Sequence, residues 1–382
     1  MRFRHRDGTL VHLAYCTNVH QAEDLDGVLT QLARFGEPVR ERLGVDRLGL
    51  GLWLARPVAS ELVADPAAVA KLRAELDARG LEVVTLNGFP YQGFHDPVVK
   101  HKVYRPDWST PERTQYTLDL ARLLAELLPE DVRTGSVSTL PLAWRTPWSA
   151  ERASQVASRL ERLEQGLAQL AVRTGKEIRI GFEPEPGCVV ENTAQAVRLL
   201  PGRTEHLGIC LDTCHLAVAF ETADAVAELS AAGLPVVKVQ ASCALQADQP
   251  ARADQRRALA AFTEPRFLHQ TREEGVEAGA DDLSLALGGE LPGIRPWRVH
   301  FHVPVHAEPA PPLRATQHVL IGALDALLGG SQALTSHVEV ETYTWEVLPA
   351  APTGAHELVG GIASELTWMR DRLIDLGLKE DT

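Results

Sequence analysis

Four residues with metal-binding oxygen atoms each close a run of apolar, strand-forming residues. Glu183 follows residues 178–182, Asp212 follows 207–211, Gln240 follows 236–239 and Glu341 follows 337–340. A carboxylate at the end of a buried strand is costly unless something offsets its charge. Four such ends gathered at one point make an oxygen-rich site for a divalent cation, which relieves both desolvation and mutual repulsion. Each residue alone has an ordinary explanation. Asp212-Thr213 also reads as a helix N-cap, and buried acids commonly pair with arginine. Three acids on three separate strands point together to a site.

Other polar residues belong to the same constellation. The period of two along a strand places Glu339 inside, below Glu341, and Glu185 above Glu183 at the mouth, where it orients the site and meets substrate. His215, three residues after Asp212, is expected to reach a substrate oxygen or the same metal. His300 and His302 share one face of the alternating run 297–305, and His302 is expected to return over the site, with His269 nearby. Asn87 ends a further strand. Tyr91 lies in the aromatic stretch 89–95 that follows it, a composition that can wall a polar substrate and exclude water.

The elements that position these residues follow from periodicity. Strands are expected at 11–17, 47–53, 81–87, 135–140, 177–183, 207–212, 235–241 and 336–342. Helices are expected at 24–43, 57–79, 111–128, 149–174, 193–200, 224–231, 316–328 and 357–376. Leu160, Leu163, Leu167 and Leu170 line one helical face. Thr110-Pro111 reads as a helix start, and Gly80 and Gly175 as helix stops. Eight strands, each followed by a helix, predict an α/β fold: a (β/α)8 TIM barrel over residues 1–382, with right-handed crossovers. Residues 242–312 break the repeat and read as an insertion after the seventh strand, overhanging the C-terminal face of the barrel. No Gly-x-Gly-x-x-Gly fingerprint follows a strand, which argues against an open dinucleotide-binding sheet.

The chain has 382 residues and a formal net charge of −13. An acidic surface without a basic stripe disfavours nucleic acid. No apolar run approaches the roughly 18 residues that span a bilayer, so a soluble, cytoplasmic protein is expected, with no membrane span. The five cysteines are odd in number and match no standard zinc spacing, which favours buried thiols over disulfides.

The motifs Gly181-Phe182-Glu183-Pro184, Cys210-Leu211-Asp212-Thr213-Cys214-His215 and Val340-Glu341-Thr342-Tyr343 resemble the xylose-isomerase-like TIM-barrel superfamily, which includes sugar-phosphate isomerases, ketose 3-epimerases and endonuclease-IV-like enzymes. A fuller pattern is similar to the metabolite traffic protein EboE family. It includes Tyr15-Cys16-Thr17-Asn18, Thr85-Leu86-Asn87-Gly88-Phe89-Pro90-Tyr91, Glu183-Pro184-Glu185-Pro186-Gly187-Cys188, Val299-His300-Phe301-His302-Val303-Pro304-Val305 and Glu339-Val340-Glu341-Thr342-Tyr343-Thr344-Trp345. The superfamily's Glu, Asp, His and Glu metal ligands fall on Glu183, Asp212, Gln240 and Glu341. Gln240 departs from the usual histidine, and His302 or His269 is placed to compensate from the insertion.

The resemblance implies a divalent metal (Mn, Zn, Mg, Fe or Co) and an isomerase or epimerase acting on a sugar, sugar phosphate or cyclitol. Glu183 and Glu341 are its acid–base pair, and His215 steadies a substrate oxygen. Asn87, Tyr91, Glu185, His269 and His302 are the expected substrate contacts. Two further readings stay open: a hydrolase with a two-metal His/Asp/Glu site, and a non-catalytic metabolite carrier. The expected partners are a polar small molecule, a second copy in a homodimer, and proteins of a metabolite export gene cluster.

Overall fold

Near-continuous apolar runs favour strands that are covered on both faces, which is the environment of a parallel sheet. In the computed structural model, which describes residues 1–202 and 204–381, the first seven barrel strands, most of them such runs, are β1 (Leu10–Cys16), β2 (Leu48–Trp53), β3 (Leu81–Asn87), β4 (Thr134–Thr139), β5 (Glu177–Phe182), β6 (Leu207–Asp212) and β7 (Val236–Ala241). Five strands then follow: β8 (Cys243–Ala247), β9 (Thr271–Glu273), β10 (Gly279–Ala280), β11 (Trp297–Val303) and β12 (Arg314–Ala315). The last barrel strand is β13 (His337–Val340). Strands β1 to β7 pair in sequence, all parallel, and β13 pairs in parallel with both β7 and β1. The ring closes at eight strands, a (β/α)8 TIM barrel.

Helices α1 (Leu25–Gln31), α2 (Glu37–Leu43), α3 (Arg56–Ala64), α4 (Pro66–Ala78), α5 (Pro111–Leu127), α6 (Ala150–Thr174), α7 (Thr193–Leu199), α8 (Thr213–Val218), α9 (Asp224–Ala231), α10 (Ala253–Ala260), α11 (Gln317–Leu328) and α12 (Ala355–Asp375) accompany the strands. The longest, α6, turns Val156, Leu160, Leu163, Leu167 and Leu170 inward. Each such side chain contributes about 1.5–3 kcal/mol on burial. Ser149 caps its start, and Gly175, at φ 66°, ends it in the left-handed conformation.

Three local expectations need correction. The helix expected over 57–79 breaks at Asp65, because Pro66 drives the preceding residue to extended backbone (φ −127°, ψ 98°). Asp65 then caps α4 by accepting from the Ala67 amide at 2.9 Å. The helix over 24–43 carries a π-helical turn at Leu32–Gly36. Thr110 stands at the N-cap of α5, but its hydroxyl donates to the Asp107 carbonyl and caps nothing.

The segment after β7 is a folded antiparallel sheet in the order β10-β9-β11-β8-β12. The apolar side chains of β11, Trp297, Val299 and Phe301, are buried and anchor it. Inside the barrel, Glu339 on β13 and Lys238 on β7 form an ion pair of 2.8 Å, both fully buried. A Cβ on Gly51 of β2 would lie 1.3 Å from Glu339 Oε2, so only glycine leaves room for the pair. Among the described residues no helix is long and apolar enough to cross a membrane.

Candidate metal centre

Parallel strands of a barrel all end on one face, and three acidic residues meet there. Glu183 directly follows β5, Asp212 ends β6 and Glu341 directly follows β13. One carboxylate oxygen from each lies within 4.8 Å of the other two, and all three residues are buried. Glu183 Oε2 and Asp212 Oδ2 have no hydrogen-bond partner. A buried acceptor left unpaired costs about 1–3 kcal/mol, and a divalent cation is the partner that three converging carboxylates fit.

The surrounding bonds aim these oxygens. Asp212 Oδ1 accepts from the His215 amide at 2.9 Å and from Ser242 Oγ at 2.8 Å, which leaves Oδ2 free. Asp212 is thus at once the N-cap of α8 and a member of the cluster. Glu341 Oε1 accepts from Asn18 Nδ2 at 2.7 Å and Asn87 Nδ2 at 2.8 Å. Burial raises the Glu183 carboxyl well above its usual range, and the Glu341 and Asp212 charges add to the effect. Glu341 is raised in the same way, by burial and then by Asp212 and Glu339. One layer below, burial lowers the Lys238 ammonium, but the surrounding groups, Glu339 foremost, together more than offset this and the net direction is up. Lys238 therefore stays a cation beneath the acids.

Gln240 is fully buried at the end of β7, and its Oε1 accepts from the Cys210 thiol at 3.1 Å. Its Nε2 has no partner. Reversing the amide exchanges the two atoms, and only that orientation turns the oxygen to the unpaired side.

The histidines come from α8 and the inserted sheet. His302 donates from Nδ1 to the Glu341 carbonyl at 2.7 Å. Its Nε2 has no partner and lies 3.9 Å from Asp212 Oδ2. His215 Nδ1 lies 2.9 Å from the Pro184 carbonyl, and its Nε2 lies 3.0 Å from His300 Nε2. Glu185 Oε1 accepts from Tyr104 Oη at 2.6 Å. Burial first, and then the Asp212 charge, push its carboxyl up to about 8.

Above these groups lies a cavity that opens to solvent. Phe89, Phe94, Tyr104, Phe267 and Tyr343 wall it, with Glu183, Glu185 and Glu341 inside. Its one lysine, Lys100, is paired with Asp282. Asn18 also lines it, with a buried Oδ1 that has no partner.

Two expected substrate contacts sit elsewhere. Tyr91 is outside the cavity wall and packs on Tyr116, ring centroids 5.0 Å apart, because its strand exit turns toward α5. His269 is fully buried behind the wall, with Nδ1 on the His300 carbonyl and Nε2 on Glu264, each at 2.8 Å. Asn87 lines the cavity, but its amide is occupied by Glu341 and by the Phe89 backbone, so it positions Glu341. Sequence reasoning passed over Gln270, which lies in a segment without a periodic signal, whereas Tyr104 belongs to an aromatic stretch, 104–108, whose composition already suits a substrate wall. It left His300 outside the main site, although the alternation of 297–305 put it beside His302.

A family described as Xylose isomerase-like TIM barrel matches residues 41–269. No curated protein matches the chain. Among solved structures, the crystal structure of IOLI protein with a binding zinc atom is 13% identical, with a TM-score of 0.50 over 96% of this chain and 99% of that one. A xylose isomerase domain protein from Alicyclobacillus acidocaldarius subsp. acidocaldarius is 16% identical, with a TM-score of 0.47 over 96% and 99%. A 3-keto-D-glucoside 4-epimerase from E. coli is 14% identical, with a TM-score of 0.46 over 94% and 99%. At such identities the first likeness speaks for the fold alone, and the other two carry no argument.

Proposed function

We propose that this chain, which belongs to the xylose isomerase-like TIM barrel family, is a divalent-metal-dependent isomerase or epimerase of a polyhydroxylated small molecule. The carrying observation is the Glu183, Asp212 and Glu341 cluster, with its unpaired oxygens buried beneath an aromatic-walled cavity. In this reading Glu183, Asp212 and Glu341 hold the metal. His302 takes the fourth place, because its bare Nε2 faces Asp212 whereas Gln240 is engaged with Cys210. When bound, the ion supplies Lewis-acid polarisation of a substrate carbonyl and hydroxyl; Mn, Zn, Mg, Fe and Co all suit such chemistry.

The chain's own residues do the rest. Glu183, on β5, and Glu341, on β13, reach the substrate from different sides of the ring. One removes the proton from the carbon beside the carbonyl, and the other returns a proton to the opposite face or the neighbouring carbon. Asn18 and Asn87 hold the Glu341 carboxylate in position. Asn18 Oδ1 is free to accept from a substrate hydroxyl. The aromatic wall excludes water and covers an apolar sugar or cyclitol face. Among the described residues the only lysine or arginine lining the cavity, Lys100, is already paired, which favours an unphosphorylated substrate over a sugar phosphate.

Residues 242–312 act as a lobe that roofs the barrel mouth, a role supported by the delivery of His300 and His302 from β11. The motif resemblance supports a place in the EboE branch and in bacterial metabolite traffic, as a cytoplasmic homodimer. Metal-assisted hydrolysis is the second reading, favoured by the His215–His300 pair.

The test is to purify the protein, measure bound metal, and screen aldoses, ketoses and cyclitols in D2O for deuterium uptake at carbon. Tight metal, with exchange that vanishes in Glu183→Gln, supports the reading. A protein without metal or exchange, or exchange unaffected by Glu183→Gln, defeats it.

A further inference from the structure

We propose that a second cavity, which shares Tyr104 as a wall with the larger one, binds a small oxyanion, a phosphate or carboxylate group, through Arg105 and Arg152. Arg105, Asp107, Trp144, Thr146 and Arg152 line it. The site uses no residue of the metal centre, and it stands or falls separately from the proposed reaction.

The argument is one of unmatched donors. The chain has a net charge of −13, so a group of cations around one cavity is a local feature with a local reason. Of the arginines in this region, Arg145 is paired with Asp281 at 2.6 Å and Arg152 with Asp107, whereas the exposed Arg105 has no partner among the described residues. Asp107, the one described carboxylate lining the cavity, is already committed. Its Oδ1 accepts from the Ser109 amide at 2.9 Å and from Ser109 Oγ at 2.6 Å, and its Oδ2 accepts from Arg152 Nη2. A guanidinium has five N–H groups and can only donate. Arg152 therefore keeps donors to give, and its Nε has no partner. Thr146 adds a hydroxyl. Donors outnumber acceptors here, so the matching ligand is rich in acceptors and negative. The planar guanidinium fork fits the oxygens of a phosphate or carboxylate.

The walls are fixed before any ligand arrives, which lowers the cost of binding. The Trp144 ring packs on Tyr104, centroids 4.8 Å apart, and on the Arg145 guanidinium, 4.8 Å from its centroid. A Cβ on Gly187 would lie 2.3 Å from Trp144 Cη2, so only glycine seats the indole there. The cavity measures about 290 Å³, several times the roughly 30 Å³ that a water molecule occupies, so a phosphate with its first linking atoms fits. Tyr104 ties the two cavities together: its hydroxyl donates to Glu185 at 2.6 Å and accepts from Gln270 Nε2 at 2.8 Å. An anion held by Arg105 is next to the larger cavity yet outside it, away from the carboxylates that would repel it. The paired Lys100 of the larger cavity has no bearing on such an anion. It is either a free ion or the charged arm of a ligand whose polyol part enters the larger cavity.

Calorimetric titration of the metal-stripped full chain with inorganic phosphate, and with acetate as the carboxylate probe, tests this without metal or turnover. Saturable binding of at least one of them is expected. In Arg105→Ala it should weaken about tenfold or more, the effect of losing one charge-assisted hydrogen bond, and Arg105→Lys should restore part of it. The Arg105 side chain is exposed and unpaired, so its removal does not threaten the fold. Lys100→Ala should leave anion binding unchanged. No saturable binding of either anion, equal binding in wild type and Arg105→Ala, or binding lost in Lys100→Ala but kept in Arg105→Ala overturns the site and leaves the proposed function standing. Fructose 6-phosphate and fructose then separate the two sources. Tighter binding of fructose 6-phosphate than of phosphate, with the advantage lost in Arg105→Ala, supports the site as the seat of a ligand's charged arm; binding no tighter than phosphate supports it as a site for a free ion.

Discussion

Asp212 Oδ2 and His302 Nε2 face each other across 3.9 Å, both buried and both without a hydrogen-bond partner. One belongs to the barrel and the other to the inserted sheet, so the gap between them joins the two parts of the chain. Each unpaired group costs about 1–3 kcal/mol while nothing fills the gap. A bound divalent ion should therefore stabilise the fold. At a free concentration about a hundredfold above its Kd the gain is about 2.7 kcal/mol. Thermal unfolding with chelator and with added Zn or Mn measures it. His302→Ala should lose most of the metal-dependent rise; an undiminished rise removes His302 from the first coordination set.

The acid–base roles predict a kinetic asymmetry. Glu183→Gln and Glu341→Gln should each lower turnover by about 10²–10⁴, whereas Asn87→Ala, which removes only a support of Glu341, should cost less. Exchange of substrate hydrogen with D2O separates the two glutamates. A substitution that blocks exchange of one epimer's proton while sparing the other's identifies the face on which that carboxylate works. Equal retention of activity in both glutamine variants contradicts the assignment.

The buried Lys238–Glu339 pair gives a prediction about stability. Lys238→Met leaves Glu339 buried without its cation, and truncation of one partner in such pairs costs about 3–5 kcal/mol. The double variant Lys238→Met/Glu339→Gln should recover most of that loss, because no charge remains to be desolvated. Urea unfolding of the two variants decides it. Similar losses in both would mean that packing around the lysine stem, and not its charge, matters there.

Glu365 on α12 accepts from Thr342 Oγ1 at 2.6 Å, from the Val305 amide at 3.1 Å and from Trp345 Nε1 at 3.0 Å. It thereby braces the residue after Glu341. Burial raises its carboxyl from 4.5 to about 7. Between these values the folded protein holds a proton that the unfolded chain has released, so stability falls as pH rises through the window and levels off above about pH 7. At 1.36 kcal/mol per pKa unit the loss is about 3 kcal/mol. The difference in unfolding free energy between wild type and Glu365→Gln should shift by that amount between pH 4 and pH 8. Parallel profiles would show that the three donors keep Glu365 ionised throughout.

Much of the architecture was legible because barrel strands announce themselves. Runs such as 207–211 are apolar at every position and are closed by a polar residue, and the helices between them carry clean 3.6-residue stripes, as in α6. The exceptions have local causes: Pro66 ends a helix that the stripe alone would continue, and the π-turn at Leu32–Gly36 leaves no mark in composition. The meeting of Glu183, Asp212 and Glu341 was legible for the same reason, since the end of a parallel strand in a closed ring has only one face to reach. Tyr91 and His269 were misplaced because aromatic composition and a nearby insertion say nothing about which way a loop residue turns.

The sequence by itself determined the barrel, the strand ends and the residue types gathered there, because periodicity of burial is a local property of the chain. Only the tertiary structure decided which atoms are free. Asn87 is occupied by Glu341, and Gln240 by the Cys210 thiol. His215 and His300 become a pair because Pro184 and Gln270, far apart in the chain, take their Nδ1 hydrogens. Those partnerships are long-range and directional, and spacing along the chain does not encode direction.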